Sequence, residues 1–202
     1  MILNAILQSG VLLFVAASLL FLFSKKQQGS FNTAFIVSFV TLISYFLMWQ
    51  GGLEITSSGG QPIFWTRWLF YAASCSLLMA EIASARKVNG PALVEWIYLT
   101  VIVMFTGFLG ARTLSSVKWI YFILSSIAYI LLLTKVFKSR TEETAWIDNY
   151  IIFGWSVFPL VFLLGPTGFG VIGATLTAGA YFLLDLYTKI VFNVQLKNKR
   201  FS

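Results

Sequence analysis

The sequence predicts an all-α fold, a bundle of seven transmembrane helices. Of the 202 residues, 58% are hydrophobic and only 10% are charged, which is too apolar for a soluble domain of this length. Seven apolar segments of about 20 residues, the length that crosses a bilayer core, follow one another along the chain. The connecting segments are short, so each helix should pack antiparallel against the next, and residues 1–202 should form a single domain.

The first predicted helix, Ile2–Phe23, lacks the basic leader of a cleavable signal and is long enough to span, so we expect it to be retained. The predicted helices are separated by short segments rich in glycine, proline, serine and charged residues, a composition typical of turns. These segments are SKKQQGS, GGLEITSSGGQP, ARKVNGP, ARTLSS, KSRTEET and GPTGFG. These separators delimit the remaining spans, which are Phe31–Gln50, Phe64–Ser84, Ala92–Gly110, Val117–Phe137, Trp146–Leu164 and Ile172–Val194.

The basic residues indicate the orientation of the bundle in the membrane. Only Arg112 and Lys118 fall on one side, whereas the other side carries Lys25, Lys26, Arg86, Lys87, Lys135, Lys138, Arg140, Lys197, Lys199 and Arg200. The positive-inside rule therefore predicts an extracellular N-terminus and a cytoplasmic C-terminus in a multi-pass protein of the cell membrane. These loops account for most of the net charge of +7, so we predict no nucleic-acid partner. The absence of histidine argues against a transition-metal site.

Asp185 and Lys189 lie four residues apart in the last predicted span, so they share one helical face. Charges at mid-bilayer depth cost roughly 2.5 kcal/mol or more and usually mark a functional site with a nearby partner. A desolvated lysine amine can also condense with an aldehyde to give a Schiff base. The pair therefore suggests a bound chromophore. The alternative is a gating ion pair in a seven-helix carrier without a chromophore.

The third predicted span carries a second polar stripe on one helical face, formed by Arg67, Phe70 or Tyr71, Ser74 and Glu81. At ~1.5 Å per residue, Glu81 lies about 21 Å from Arg67, towards the opposite face of the membrane. Arg67 is expected to point into the bundle, and a snorkelling anchor at the outer surface is the alternative. Glu81 could likewise reach the inner surface, and Ser74 and Cys75 could serve only close helix packing.

The last two spans and the third carry the motifs of a known family. Trp155, Pro159 and Phe162 precede a glycine-rich loop, which is followed by Asp-x-x-x-Lys. Trp65 and Arg67 form a Trp-x-Arg at the start of the third span. Together these motifs resemble helices F, G and C of the microbial rhodopsins, and the resemblance covers the whole chain. It implies a photoactive membrane protein that is not an enzyme.

By this resemblance, Lys189 carries all-trans retinal as a protonated Schiff base, and Asp185 is its counterion. Tyr45 matches the tyrosine that hydrogen-bonds this aspartate. The positions that would pack against retinal are Tyr71, Cys75, Gly107, Trp155, Phe158, Pro159 and Phe162. A rigid apolar polyene suits flat aromatic walls. In the fifth span, no residue matches clearly enough to be assigned to the pocket.

One position departs from the outward proton pumps of the family, which carry a carboxylate on helix C where this chain has Phe70. The combination of Phe70, Ser74 and Glu81 resembles the schizorhodopsins, which are light-driven inward proton pumps. The resemblance implies that protons are transported, that Glu81 accepts or only attracts the released proton, and that the protein forms a homotrimer in membrane lipid. The alternative within the family is a photosensor that signals through a separate membrane partner.

Overall fold

The structure, a computed structural model, describes residues 1–24, 32–51, 54–57 and 60–201. Two predicted loop charges, Lys25 and Lys26, and the predicted start of the second span at Phe31 lie outside the described residues. The predicted all-α class is confirmed for the bundle: the described residues contain seven helices in the predicted order. The agreement arises because hydropathy and turn composition alone mark where a chain can cross a membrane.

The first five helices are uninterrupted, and their bounds are α1 Ile2–Phe23, α2 Thr33–Trp49, α3 Thr66–Ala85, α4 Gly90–Arg112 and α5 Lys118–Lys138. The sixth, α6, runs over Ala145–Leu164. The seventh, α7, consists of Ala174–Asp185, Leu186–Val191 and Phe192–Phe201, so it continues beyond the predicted end at Val194. By length and composition, α1, α3, α4, α5 and α6 can each cross a membrane, and α2 is a shorter apolar helix of 17 residues.

We call the end of the bundle that carries Arg86, Lys135 and Lys197 the inner end, following the predicted orientation. The opposite, outer end carries a feature that the sequence analysis treated as a turn. There β1, Glu54–Thr56, pairs antiparallel with β2, Pro62–Phe64. The side-chain oxygen of Gln61 accepts a hydrogen bond of 2.7 Å from the backbone N–H of Ala174, at the start of α7. The hairpin is therefore attached to the outer end of the last helix.

Two π-helical turns interrupt α6 and α7, at Ile151–Trp155 and Leu186–Val191. Such turns often mark functional positions, because they shift the side chains that follow to a new face. The hydroxyl of Tyr150 donates to the backbone carbonyl of Thr188 at 2.6 Å and accepts from Nε1 of Trp155 at 3.0 Å. Tyr150 therefore joins the two turns and holds Trp155 and the neighbourhood of Lys189 in register.

Glycines allow close helix approach at two places in this framework. A Cβ atom on Gly154 would lie 2.8 Å from Cγ2 of Thr188, so α6 and α7 could not meet at their π turns with a larger residue there. A Cβ atom on Gly10 of α1 would lie 2.1 Å from the ring of Tyr45 on α2. Gly10 thus makes room for the Tyr45 ring, whose hydroxyl points towards α7.

The inner end contains a buried ion pair that the sequence analysis did not anticipate. Arg86 and Asp148, expected to be a loop charge and a residue of the first turn of α6, are only 5% and 7% exposed. The Arg86 guanidinium forms an ion pair with Asp148 and also donates to the backbone carbonyls of Val136 and Thr144. The pair therefore joins the inner ends of α3, α5 and α6. Composition cannot reveal it, because an isolated arginine at a helix end looks the same whether buried or solvated.

We expect Arg86→Ala to destabilise the bundle by about 3–5 kcal/mol, because it leaves the Asp148 carboxylate buried without its main partner. Arg140 supplies a matched control, since its Nε atom also lies 3.2 Å from Asp148 but its side chain is 59% exposed. For Arg140→Ala the expected loss is about 0–1 kcal/mol. Unfolding of the purified protein, followed by circular dichroism, measures both, and equal losses would contradict a central role for Arg86.

Candidate functional site

A buried carboxylate, that of Asp185, lies at the centre of a polar cluster between α2, α3 and α7. Its Oδ2 atom accepts hydrogen bonds from the hydroxyl of Tyr45 at 2.8 Å and from the hydroxyl of Tyr71 at 2.7 Å. The Nη1 atom of Arg67 lies 3.4 Å from the same oxygen. Asp185 is fully buried, and a charge in such a place is stable only with partners of this kind.

The amine of Lys189 lies next to this carboxylate. Its Nζ atom is 2.9 Å from Oδ1 of Asp185. This contact is a close ion pair whose angles fall outside hydrogen-bond geometry, so neither atom has a hydrogen-bond partner among the described residues. The amine also lies 3.7 Å from the ring centroid of Tyr71, and Lys189 is 1% exposed. The fold thus holds a primary amine away from solvent, beside an acid.

Arg67 points into the bundle rather than towards the outer surface, with 3% of its surface exposed. Its Nη1 atom donates to the hydroxyl of Tyr71 at 3.0 Å, and its guanidinium carbon lies 4.6 Å from the ring centroid of Tyr181. Among the described residues that meet in this cluster, two cations, Arg67 and Lys189, face the carboxylate of Asp185. The tyrosine hydroxyls add donors but no negative charge, so the site carries an excess of positive charge.

An apolar cavity of about 910 Å³, part of it open to the surface, lies beside the cluster. All seven residues that the sequence predicted around a chromophore line it: Tyr71, Cys75, Gly107, Trp155, Phe158, Pro159 and Phe162. Tyr71 thus belongs to both the cavity wall and the polar cluster. Flat rings on several helices give the cavity the walls that a rigid apolar ligand needs.

The cavity also has lining residues that sequence reasoning missed. Helix α5, to which no pocket residue was assigned, contributes Phe122, Ser125, Ser126, Tyr129 and Leu132. Their spacing of three to four residues places them on one helical face, and this periodicity was the available signal. Tyr181 of α7 and Trp68 of α3 also line the cavity without having been predicted. Single aromatic residues in an apolar span carry no mark of which face is turned inwards.

The three positions that distinguish the schizorhodopsin pattern lie apart from one another along α3. Ser74 is fully buried, and its hydroxyl has no hydrogen-bond partner among the described residues. Phe70 and Glu81 are half-buried, Phe70 one turn before Ser74 and Glu81 near the inner end. Phe70 is not part of the cavity wall. The structure therefore brings Arg67, Tyr71, Asp185 and Lys189 together but keeps Glu81 at a distance from them.

Glu81 has a cationic neighbour, Lys197, on the inner part of α7. The Lys197 amine donates to the hydroxyl of Ser24 and lies 5.1 Å from the ring centroid of Phe21. Partial burial lowers the pKa of Lys197, and the charge of Glu81 opposes this change. Lys197 therefore lies within electrostatic reach of Glu81 at the inner end of the bundle.

A buried lysine, its aspartate partner and an aromatic cavity thus lie within a bundle of seven helices. A comparison of the sequence with known protein families agrees with this arrangement. The sequence model of the family described as bacteriorhodopsin-like protein matches residues 1–201. The chain belongs to this bacteriorhodopsin-like family. It is accordingly a multi-pass membrane protein of the microbial rhodopsin class.

Individual relatives and solved structures show which members of the family this bacteriorhodopsin-like protein is similar to. It is 24% identical to bacteriorhodopsin of Halobacterium salinarum over 180 residues, which cover 82% of this chain and 69% of that one. It superimposes on the crystal structure of schizorhodopsin 4 with a TM-score of 0.88, and the two sequences are 36% identical. The match covers 95% of this chain and 97% of that chain. It also superimposes on halorhodopsin, a light-driven chloride pump, with a TM-score of 0.88 at 21% identity, covering 99% and 97%. That last likeness shows the fold alone.

Proposed function

We propose that this protein is a light-driven inward proton pump whose pigment is all-trans retinal bound to Lys189. The observation that carries the proposal is the buried Lys189 amine, paired with Asp185 and lying against Tyr71 in the wall of an aromatic cavity. The 36% identity to schizorhodopsin 4 supports the inward direction. So does Phe70, which stands where outward pumps carry a carboxylate.

The residues present fit retinal on two grounds. The Lys189 amine and the Oδ1 atom of Asp185 are buried without hydrogen-bond partners among the described residues, as suits an amine that becomes an imine nitrogen and its counterion. The rings of Trp155, Phe158 and Phe162 line the adjoining cavity and would hold a flat polyene. Bound there, retinal would supply absorption of visible light and an isomerisation that changes the direction in which the Lys189 nitrogen presents its proton.

On the outer side of the Lys189 nitrogen, the protein's own residues disfavour proton release. Asp185 attracts the proton in the dark, but its Oδ2 atom is already occupied by the hydroxyls of Tyr45 and Tyr71. Arg67 offsets part of its charge. Phe70 supplies no second acceptor one turn along α3. When the Lys189 nitrogen turns away from Asp185 after illumination, no second carboxylate lies one turn along α3 to accept its proton on this side.

On the inner side, Glu81 supplies negative charge. It lies about half the length of α3 away from the level of the Lys189 nitrogen. A carboxylate at that depth attracts a proton through a low-dielectric interior more strongly than it would in water. The half-buried position of Glu81 suits either uptake of the proton or attraction alone. Return of a proton from the outer side, past Arg67 and Asp185, completes inward transfer. Assembly as a homotrimer stays a prediction.

Illumination of cells that express the protein with retinal should raise the pH of an unbuffered medium. A protonophore should abolish the change, because the proton gradient is then short-circuited. Acidification would instead indicate outward pumping and contradict the proposal. A coloured protein that gives no pH change would favour the photosensor.

The same assay applied to Glu81→Gln tests the inner residue separately. We expect the initial rate of light-driven alkalinisation to fall strongly, with little change in the absorption maximum, because Glu81 lies far from Lys189. Glu95→Gln is the control, since Glu95 is a partly exposed inner-end carboxylate that pairs with Lys135 at 2.8 Å. Normal inward flux in Glu81→Gln would remove this residue from the mechanism.

A further inference from the structure

A second, smaller cavity of about 360 Å³, part of it open to the surface, lies at the outer end, between the β-hairpin and the segment that joins α6 to α7. Its walls include Pro62, Phe64, Thr167 and Thr177. The hydroxyl of Thr177 is buried and has no hydrogen-bond partner among the described residues. Arg67 contributes its charge to the same wall. A cavity with buried polar groups of this kind can hold water, whereas a purely apolar one stays dry.

Three residues, Arg67, Trp68 and Tyr181, line both this outer cavity and the large aromatic cavity. They therefore form the partition between the two. Asp185 and the Lys189 amine lie on the inner side of the partition, and the hairpin lies on its outer side. Any proton that reaches the Lys189 nitrogen through the outer cavity must pass this group of side chains.

Of the two residues that form the partition with Arg67, Tyr181 is the one whose ring the Arg67 guanidinium contacts. It lies one turn before Asp185 on α7 and is buried. The guanidinium carbon of Arg67 lies 4.6 Å from its ring centroid, and its ring stacks on Phe158 at 5.8 Å with an interplanar angle of 22°. A cation over a desolvated ring is attracted by the ring quadrupole. Tyr181 thus covers the face of Arg67 that Asp185 and Tyr71 leave free.

We propose that Tyr181 is a positioning residue: its ring holds the Arg67 guanidinium against Asp185, and the two side chains close the outer cavity, through which the proton returns to Lys189. The inference rests on the proposed function and identifies the outer path of the same pump. While Arg67 stays in place, its positive charge repels an incoming proton. Displacement of Arg67 towards the outer cavity opens the path.

The charged and titratable groups that face Arg67 are Asp185 and Tyr181 from α7, Tyr71 from its own helix and Tyr45 from α2. Three of these four contacts lie on the side of the Lys189 nitrogen. Tyr181 alone also borders the outer cavity. Removal of its ring therefore frees Arg67 in the outward direction without removing any hydrogen bond to Asp185.

The test measures access to the Lys189 nitrogen in the dark, by the rate at which hydroxylamine bleaches the purified pigment. In Tyr181→Leu we expect this rate to rise about tenfold, since a buried cation–π contact is worth roughly that factor in an equilibrium. Tyr181→Phe keeps the ring and should bleach at the wild-type rate. Tyr98→Leu is the matched control, because Tyr98 is 65% exposed on α4 and should have no effect.

A second variant tests the path without disturbing the partition. Thr177→Leu fills the outer cavity, so it should slow both bleaching in the dark and the recovery of absorption after a flash. Unchanged rates in both Thr177→Leu and Tyr181→Leu, with wild-type colour and inward flux, would overturn this inference alone. Bleaching that is equally fast in Tyr181→Phe and Tyr181→Leu would also overturn it. Failure of the wild type to form a pigment would overturn the proposed function together with it.

Discussion

Lys189→Ala should give a protein that stays colourless when retinal is added and that transports no protons in light. The reason is covalent: an imine needs a primary amine, and the Lys189 amine lies beside Asp185 and against Tyr71, which lines the aromatic cavity. The visible absorption spectrum after reconstitution measures the first effect. The pH of an illuminated cell suspension measures the second.

Lys118→Ala is the control for this change, because Lys118 is also a buried lysine. Its amine donates to the backbone carbonyl of Gly168 at 2.9 Å, at the outer end of the bundle. Loss of Lys118 should therefore cost some stability and leave the colour in place. A visible band in Lys189→Ala that hydroxylamine can bleach would show that the pigment is attached elsewhere, and the proposed function would then be wrong.

Asp185→Asn should shift the absorption maximum strongly and abolish transport. It removes the carboxylate that faces both Arg67 and Lys189, so two cations remain close together in a buried site. Removal of one partner from a buried ion pair costs about 3–5 kcal/mol, and we expect a loss of stability of this size. The absorption spectrum, the pH of an illuminated cell suspension and the thermal bleaching of the pigment measure these three effects.

Asp148→Asn gives the comparison that separates colour from stability. Asp148 is a second buried carboxylate, but it pairs with Arg86 at the inner end, away from the aromatic cavity. We expect Asp148→Asn to lower stability and to leave the absorption maximum unchanged. An unchanged spectrum in Asp185→Asn would mean that Asp185 is not the counterion.

Much of the architecture follows from the sequence alone. A helix that crosses a bilayer must satisfy its own backbone hydrogen bonds and face lipid with apolar side chains, so its length and composition are visible in the chain. The same rule makes an intramembrane charge conspicuous, and it is the reason Arg67, Asp185 and Lys189 stood out. These residues do lie together in the folded protein.

Other features could not be settled from a single segment of the chain. The strands of the hairpin are three residues each, set among glycines and serines, and the hydrogen bond of Gln61 with Ala174 that attaches them to α7 joins residues far apart in the sequence. The periodicity of α5 marks one face of the helix, but only the rotation of α5 within the bundle turns that face towards the cavity. The role that we propose for Tyr181 depends on its contact with Arg67, which is 114 residues earlier in the chain.

By itself the sequence determined the number, order and approximate bounds of the membrane helices and the identity of the buried amine and its acid. Both follow from the free energy of transfer between water and lipid, which acts on each residue separately. The tertiary structure alone decided which aromatic rings enclose the cavity, that Arg86 is buried with Asp148, and that Arg67 rests on Tyr181. These outcomes depend on the rotation and close approach of several helices, and such relations between distant segments leave no mark on any one of them.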